Sequence, residues 1–175
     1  MINRDKALDL VMAQNPEPWL LQHAKASEAV MRALAGRFGE NEDLWGLTGL
    51  LHDVDFPHTK EVPDNHGVLA MELLAGKLPE NALQAIRAHN AEHTGTAPES
   101  LLDKALRPAE SVTGLITAAA LVRPSGMQGM EAKSLKKKMK DKAFAAAVNR
   151  ERIRECEKIG LSLDEFLTIA IKAMS

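Results

Sequence analysis

The sequence is poor in cysteine and in aromatic residues. Cys156 is the only cysteine among 175 residues, tyrosine is absent, and aromatic side chains make up 3% of the chain. A single cysteine excludes an internal disulfide and is typical of a protein in the reducing cytoplasm. With so few aromatic side chains, stacking is not expected to be a generous source of affinity for nucleobases.

Long apolar runs and a marked excess of charge are lacking as well. The first residues contain no apolar signal core, and the longest apolar-leaning run, residues 114–122, is too short to span a membrane. The formal net charge of −2 gives no electrostatic support for nucleic-acid binding. We therefore expect a cytoplasmic protein without a nucleic-acid or membrane partner, and the sequence leaves its oligomeric state open.

Helical patterns cover nearly the whole chain. Apolar residues recur at helical spacing, and no alternating β-branched run is present. We predict one all-α domain over residues 1–175, a helical bundle with a core at about 18–122 and a C-terminal helical extension at 131–175. The segment from Asp55 to Pro63 is predicted to be a polar loop, and Pro108 is predicted to kink or split its helix. The predicted helices run over residues 3–14, 18–38, 42–53, 64–75, 79–90, 98–122, 134–140, 142–148, 150–159 and 162–174.

The most informative stretch is residues 46–55, which read Gly-Leu-Thr-Gly-Leu-Leu-His-Asp-Val-Asp. Apolar residues at i, i+3, i+4 and i+7 predict one buried helix face: Leu47, Leu50, Leu51 and Val54. His52 and Asp53 then fall in the last turn, where both can reach an ion beyond the helix end. An aspartate there opposes the helix dipole by ~0.3–1 kcal/mol, which a divalent cation would offset. The alternative is a buried histidine beside a C-terminal aspartate.

Further histidines and one acidic residue are spaced around this pair. In chain order the set is His23, His52, Asp53, His66, His89 and Glu110. Over about residues 18–122 this set resembles the HD superfamily of metal-dependent phosphohydrolases, and the remaining tail is similar to that of small uncharacterised bacterial HD-domain hydrolases. The resemblance implies an HD-domain-like helical bundle. It also implies one or two divalent transition-metal ions, drawn from Mn, Fe, Ni, Co and Zn.

The resemblance also implies how the ligands are shared. Its first ion would be held by His23, His52, Asp53 and Glu110, and a second ion by His66 and His89. Glu110 stands where the superfamily has an aspartate, so the alternative is a lost ligand. We expect ligation because neighbouring residues suggest an inward-facing helix side, where an unpaired charge would be costly.

Asp55 is a second departure, since many family members have glycine at this position. We expect it to act with Asp53 in catalysis by orienting a water molecule or a metal-bound histidine. The alternative is an ordinary loop aspartate.

The function implied is hydrolysis of a phosphate ester of a small metabolite, such as a nucleotide, by a metal-activated water. Four residues are candidates for binding the phosphate, although each is alternatively a solvated surface group: Lys60, Asn90, Arg123 and Lys136. We expect the lysine-rich face around Lys136 to border the cleft. Two rival functions stay open, a catalytically weakened nucleotide-binding regulatory module and a dinuclear iron oxygenase of the same superfamily.

Overall fold

The computed structural model describes all 175 residues, and its regular structure is entirely helical. Two short 3-10 helices, Pro63–Asn65 and Glu155–Ile159, interrupt the series of α-helices. The α-helices are α1 (Arg4–Ala13), α2 (Pro18–Phe38), α3 (Glu42–Leu51), α4 (Phe56–Thr59), α5 (Leu69–Leu74), α6 (Glu80–His89), α7 (Ala91–Thr94), α8 (Leu101–Leu121), α9 (Ala132–Lys140), α10 (Arg150–Arg154) and α11 (Leu163–Met174). The predicted all-α class is confirmed, and no helix combines the length and hydrophobicity that crossing a membrane requires.

The first three helices begin where capping chemistry predicts. The Asn3 side chain accepts a hydrogen bond from the backbone N–H of Lys6, and Asn41 accepts one from Leu44. Pro18 opens α2, where its missing N–H costs nothing. The predicted starts of these helices are confirmed. Helix α3 ends at Leu51, so His52 and Asp53 directly follow the helix and do not, as was predicted, lie in its last turn.

Buried apolar side chains form two clusters, one between α2, α8 and the C-terminal helices, the other between α1, α3, α5 and α6. Helices α2, α3 and α6 contribute side chains to both clusters, for example Met31 with Ala24, Trp45 with Leu50, and Ala85 with Ile86. Packing on two sides restricts movement of a helix. The three helices that carry His23, His52 and His89 are thus held from both sides.

The predicted helix from Asp64 to Ala75 is wrong in its first half. His66 has an extended backbone, Gly67 has a left-handed φ of +87°, and only α5 is helical. The Asp64 carboxylate accepts from His93 Nδ1 at 2.8 Å and does not cap a helix. The Asp55–Pro63 segment differs as well, since it contains the one-turn helix α4. Gly67 permits the reversal that turns His66 inward.

The C-terminal predictions are partly wrong. Residues 142–148 form no helix, because Ala145 is left-handed and the Arg150 guanidinium donates to four backbone carbonyls of this region. The predicted helix 150–159 is divided into α10 and the second 3-10 helix. The final helix is confirmed, with Ser162 accepting from the Glu165 N–H. Pro108 lies within α8 without splitting it.

The C-terminal segment adds to the first apolar cluster. Helix α11 packs against α2 and α9, and the second 3-10 helix packs against α8. Phe166 and Leu167 of α11 are fully buried there. The C-terminal segment thus covers apolar faces of α2 and α8.

Candidate metal centre

Four of the six histidines converge on Asp53. His23 comes from the second turn of α2, His52 and Asp53 follow α3, His66 follows the first 3-10 helix, and His89 ends α6. Two groups of close ligand atoms result, namely His23 with His52 and Asp53, and Asp53 with His66 and His89. The remaining histidines lie elsewhere, with His58 bonded to Gln14 and His93 to Asp64.

A glycine sets the distance between the first two histidines. A Cβ on Gly49 would lie 2.7 Å from the backbone oxygen of Ser27, so only glycine lets α3 approach α2 this closely. The Gly49 carbonyl accepts a hydrogen bond from His52 Nδ1 at 2.8 Å. His52 Nε2 is thereby turned toward His23 Nε2, which lies 3.1 Å away.

The tautomer of His23 follows from its other partner. Thr113 donates its hydroxyl proton to the Glu110 carbonyl at 2.7 Å, so the Thr113 oxygen accepts from His23 Nδ1 at 2.8 Å. His52 Nδ1 also carries a proton, because a carbonyl can only accept. In the neutral rings, both Nε2 atoms therefore present lone pairs, and these face each other.

The second pair of histidines repeats this arrangement. His89 Nδ1 donates to the Ile86 carbonyl, and His66 Nδ1 donates to Asp55 Oδ1 at 2.9 Å. The Nε2 atoms of His66 and His89 are 3.0 Å apart. Both are again lone-pair acceptors when the rings are neutral.

Asp53 lies between the two pairs. Its Oδ2 is 3.4 Å from His23 Nε2 and 3.3 Å from His52 Nε2. Its Oδ1 is 3.2 Å from His66 Nε2 and 3.4 Å from His89 Nε2. When all four rings are neutral, their lone pairs meet the Asp53 carboxylate without a hydrogen-bond donor, which is unfavourable unless a proton or a metal ion is added.

The spacing of these atoms suits a transition-metal ion. Two nitrogen ligands at the usual ~2.0–2.1 Å from one ion lie about 2.9–3.4 Å apart at tetrahedral or octahedral angles. The two Nε2 pairs have that separation. Imidazole nitrogens combined with a carboxylate favour Mn, Fe, Co, Ni or Zn over Mg or Ca, and hydrogen bonds to every Nδ1 are typical of metal-binding histidines.

The electrostatics of the centre favour positive charge. Burial opposes protonation of His66, but hydrogen bonds to Asp53 and Asp55 raise its pKa to about 10. Burial likewise opposes charge on His52, yet Asp53 raises the pKa of this ring. Burial lowers the pKa of His89. Burial would raise the pKa of Asp53, but His52, and after it His23 and His66, hold that pKa well below its usual range. The carboxylate is therefore ionised and attracts cations.

Asp55 holds the second pair in place. It is fully buried, and its Oδ2 accepts from the backbone N–H groups of Gly67 at 2.8 Å and Ala70 at 3.0 Å. Asn90, the residue after α6, fixes the same segment by donating to the carbonyl oxygen of His66 at 3.0 Å. Asp55 therefore fixes the orientation of His66, and its part in catalysis stays a prediction.

Glu110 is not brought into either group of ligand atoms. Its Oε1 accepts from the Ser111 hydroxyl at 2.6 Å and from Arg152 Nη1 at 3.4 Å. Its ligation stays a prediction. Arg152 was not found from the sequence, because it lies 42 residues along the chain, on α10, and no local motif marks it.

A cleft of about 550 Å³ opens onto His23 and Asp53. Its other polar lining residues are Gln22, Glu110, Thr113 and Thr117, and its apolar side chains are Trp19, Phe56, Ala118, Leu121 and Ala147. Neither lysine nor arginine lines it. The cleft therefore offers apolar contact and no side-chain cation.

None of the four phosphate-binding candidates lines this cleft. Lys60 is 3.5 Å from Glu17, and Lys136 pairs with Asp164 at 2.6 Å, so the expected lysine face near the cleft is not found. Arg123 donates to the carbonyls of its own turn, and the buried Asn90 amide donates to backbone oxygens. All four side chains thus have partners within the protein, and their binding of phosphate stays a prediction.

Comparisons with known proteins agree with this geometry. A family model described as HD domain matches residues 20–143. Among curated proteins, the chain is similar to Ribonuclease Y of Acholeplasma laidlawii (strain PG-8A), with 27% identity over 148 residues. That alignment covers 75% of this chain and only 26% of the relative, and no solved structure matches. The family match spans well over half of the sequence and includes every histidine of the centre, so this chain belongs to the HD-domain family.

Proposed function

We propose that this chain is a metal-dependent phosphohydrolase that cleaves a phosphate ester of a small metabolite. The observation that carries the proposal is the meeting of four imidazole lone pairs at the two oxygens of Asp53. In this proposal His23, His52 and Asp53 hold one divalent ion. Asp53 also joins His66 and His89 in holding a second.

Bound divalent ions supply Lewis acidity toward phosphoryl oxygens and lower the pKa of water from 15.7 toward ~7. The chain supplies the rest. Asp53 directs one carboxylate oxygen toward each pair of histidines, which fixes the position of the two groups relative to each other. Asp55 is a positioning residue, because its hydrogen bond to Nδ1 fixes the direction of the His66 Nε2 lone pair.

The cleft beside Asp53 is where a substrate would meet this centre. Its volume of about 550 Å³ lies within the ~300–1,000 Å³ range of small-molecule sites. Glu110 lines the same cleft and adds negative charge beside His23. A compact ester of one phosphoryl group fits such a site better than a long polyanion.

RNA is a second candidate substrate, because the similar protein from Acholeplasma laidlawii is named a ribonuclease. The absence of lysine and arginine from the cleft and the net charge of −2 argue against a polyanionic ligand. A single-stranded RNA oligonucleotide in the substrate panel tests this candidate directly. Cleavage of RNA without turnover of any small ester would replace our proposal.

The test is metal analysis of protein purified without chelator, followed by a panel of phosphate esters with added Mn, Fe, Co, Ni or Zn. We expect metal-dependent release of phosphate, and its loss in His52→Ala without loss of helix content. Bound metal without turnover would favour the regulatory module, and oxygen consumption by an iron-loaded protein would favour the oxygenase. A protein inert to every metal would end the enzymatic interpretation.

A further inference from the structure

Aromatic side chains are scarce in this chain, yet two of the six lie side by side at the cleft. Trp19 and Phe56 meet edge to face, with ring centroids 5.8 Å apart. Phe56 in turn meets the His66 ring edge to face at 5.5 Å. An aromatic row therefore leads from the outer cleft wall to the candidate metal centre.

Trp19 is exposed although its surroundings hold it in place. About half of its surface (51%) is accessible, and its indole N–H donates to Glu17 at 2.8 Å. Leu121, on the same cleft, is 82% exposed. Exposed large apolar side chains that gather at one concave site are typical of ligand contact. Because Trp19 is already ordered by two neighbours, stacking on it costs little conformational entropy.

The charges around the cleft restrict the anionic part of a ligand. Lys60, in a smaller neighbouring cavity, is paired with Glu17, the residue that also anchors Trp19. Arg152, in the cavity beside His23, is engaged by Glu92 at 2.7 Å and by Glu110. Both neighbouring cations are therefore already paired with carboxylates. Because both cations are already engaged, the metal centre is the main partner for a phosphoryl group, which favours a ligand with one such group over a chain of two or three.

We propose that the substrate is a phosphate monoester of a flat, apolar alcohol, whose ring lies on the wall formed by Trp19, Phe56 and Leu121 while its single phosphoryl group faces Asp53. This inference rests on the proposed function and specifies the substrate class of the same site. Trp19 is its main specificity-determining residue.

The ring contact is tested by binding, without turnover. Phenylphosphonate and methylphosphonate carry the same anionic group and differ in the ring, and neither contains a hydrolysable ester. Their affinities for the metal-loaded protein are measured by calorimetry. A Trp45→Phe background leaves Trp19 as the only tryptophan, so its fluorescence reports contact directly.

We expect phenylphosphonate to bind roughly tenfold or more tightly than methylphosphonate, the range found for aromatic stacking. Trp19→Ala should abolish this difference, and Trp19→Phe should retain most of it. Met12→Ala is a matched control, because Met12 is similarly exposed (49%) and does not line the cleft. Equal affinities in the wild type, or an equal loss of both ligands in Trp19→Ala, would overturn the ring contact.

The restriction to one phosphoryl group is tested by comparing phenyl phosphate with phenyl diphosphate as substrates. We expect a higher kcat/KM for phenyl phosphate, and a preference for phenyl diphosphate would overturn this part. The tests separate this inference from the proposed function. Ring-dependent binding by a protein that hydrolyses no ester would leave the ring contact standing without the enzyme, whereas hydrolysis of aromatic and aliphatic esters with no effect of Trp19→Ala would leave the enzyme without this substrate class.

Discussion

Two polar clusters lie next to each other in this molecule and differ in whether their hydrogen-bonding groups are satisfied within the protein. The arginine network consists of Arg107 on α8 with Glu92 and Glu155, joined by contacts of 2.7 Å to each carboxylate. Arg107 also donates to the His89 carbonyl at 3.0 Å. His89 also belongs to the histidine centre, through its ring. There its Nε2 atom faces His66 Nε2 and the Asp53 carboxylate, which are themselves acceptors when the rings are neutral.

The two clusters differ in their balance of hydrogen-bond donors and acceptors. In the arginine network each buried donor has an acceptor, so the network needs no further component. In the histidine centre the hydrogen bonds at Nδ1 use the single ring proton of each neutral histidine, so the Nε2 atoms and the Asp53 carboxylate can be satisfied only by added protons or metal ions. A cluster of the first kind stabilises the fold, whereas a cluster of the second kind is arranged for a cation.

Asp53→Asn should have the largest effect, because this carboxylate serves both histidine pairs. Its neutral amide would offer N–H donors to Nε2 atoms, which satisfies them without metal. We expect loss of both ions and of all metal-dependent hydrolysis, with helix content retained, measured by elemental analysis and circular dichroism. The matched control is Asp64→Asn, an exposed aspartate beside His93. Full metal content in Asp53→Asn would mean that the two pairs do not share a bridging ligand.

The double variant His66→Ala, His89→Ala should remove about one ion and leave the other. The first group keeps His23, His52 and Asp53, so it still offers three ligand atoms. His93→Ala serves as the control because this histidine lies on the surface. Two ions still bound to the double variant would show that His66 and His89 have a structural role only.

Arg107→Met should change stability and leave metal content alone. Breaking a buried ion pair costs roughly 3–5 kcal/mol, and we expect about 3 because Glu92 is half exposed. Arg37→Met, which breaks an exposed pair with Glu165, should cost at most about 1 kcal/mol. Denaturant unfolding measures both, and loss of metal from Arg107→Met would contradict the division between the two clusters.

The same variant alters acid stability. The hydrogen bond from Arg107 lowers the pKa of Glu92 from 4.5 to about 2. A lowered folded-state pKa contributes stability above the ordinary value, and that contribution is lost as pH falls from 4.5 through about 2. We expect metal-free Arg107→Met to lose less stability than the wild type across this window, and parallel pH profiles would refute the contribution of Glu92.

Glu110→Gln should have the smallest effect on metal binding. The carboxylate faces Ser111 and Arg152, so we expect both ions to remain bound with near wild-type affinity. Glu110→Asp is the conservative comparison, since it restores the residue type of the superfamily pattern. Loss of one metal equivalent in Glu110→Gln would instead establish the ligation predicted from the sequence.

The sequence was informative where the determining interactions are local. Asn3, Pro18 and Asn41 fix the starts of the first three helices, and the predicted starts at residues 3, 18 and 42 are confirmed within one residue. The helix predicted at 142–148 is wrong because the Arg150 guanidinium binds backbone carbonyls of this segment, and the sequence pattern does not reveal that contact. The first half of the predicted fourth helix is wrong because Gly67 adopts a left-handed conformation, and this conformation places His66 at the centre.

The family resemblance identified the candidate ligands but did not predict how their side chains are arranged. Spacing along the chain gives no hint that four Nδ1 atoms are hydrogen-bonded so that four Nε2 atoms converge. The cleft was also beyond reach, because its wall joins Trp19, Phe56 and Leu121 from three separate elements. A low aromatic content argued against stacking, and only the fold shows that two of the aromatic rings lie together.

The central claim is that the four Nε2 atoms around Asp53 form a site for divalent transition-metal ions. The most direct measurement is titration of metal-free wild-type protein with Mn, Fe, Co, Ni and Zn by calorimetry, with elemental analysis of the dialysed product. The account predicts one to two equivalents bound per chain, and none in Asp53→Asn. A wild-type protein that binds none of these ions would contradict it.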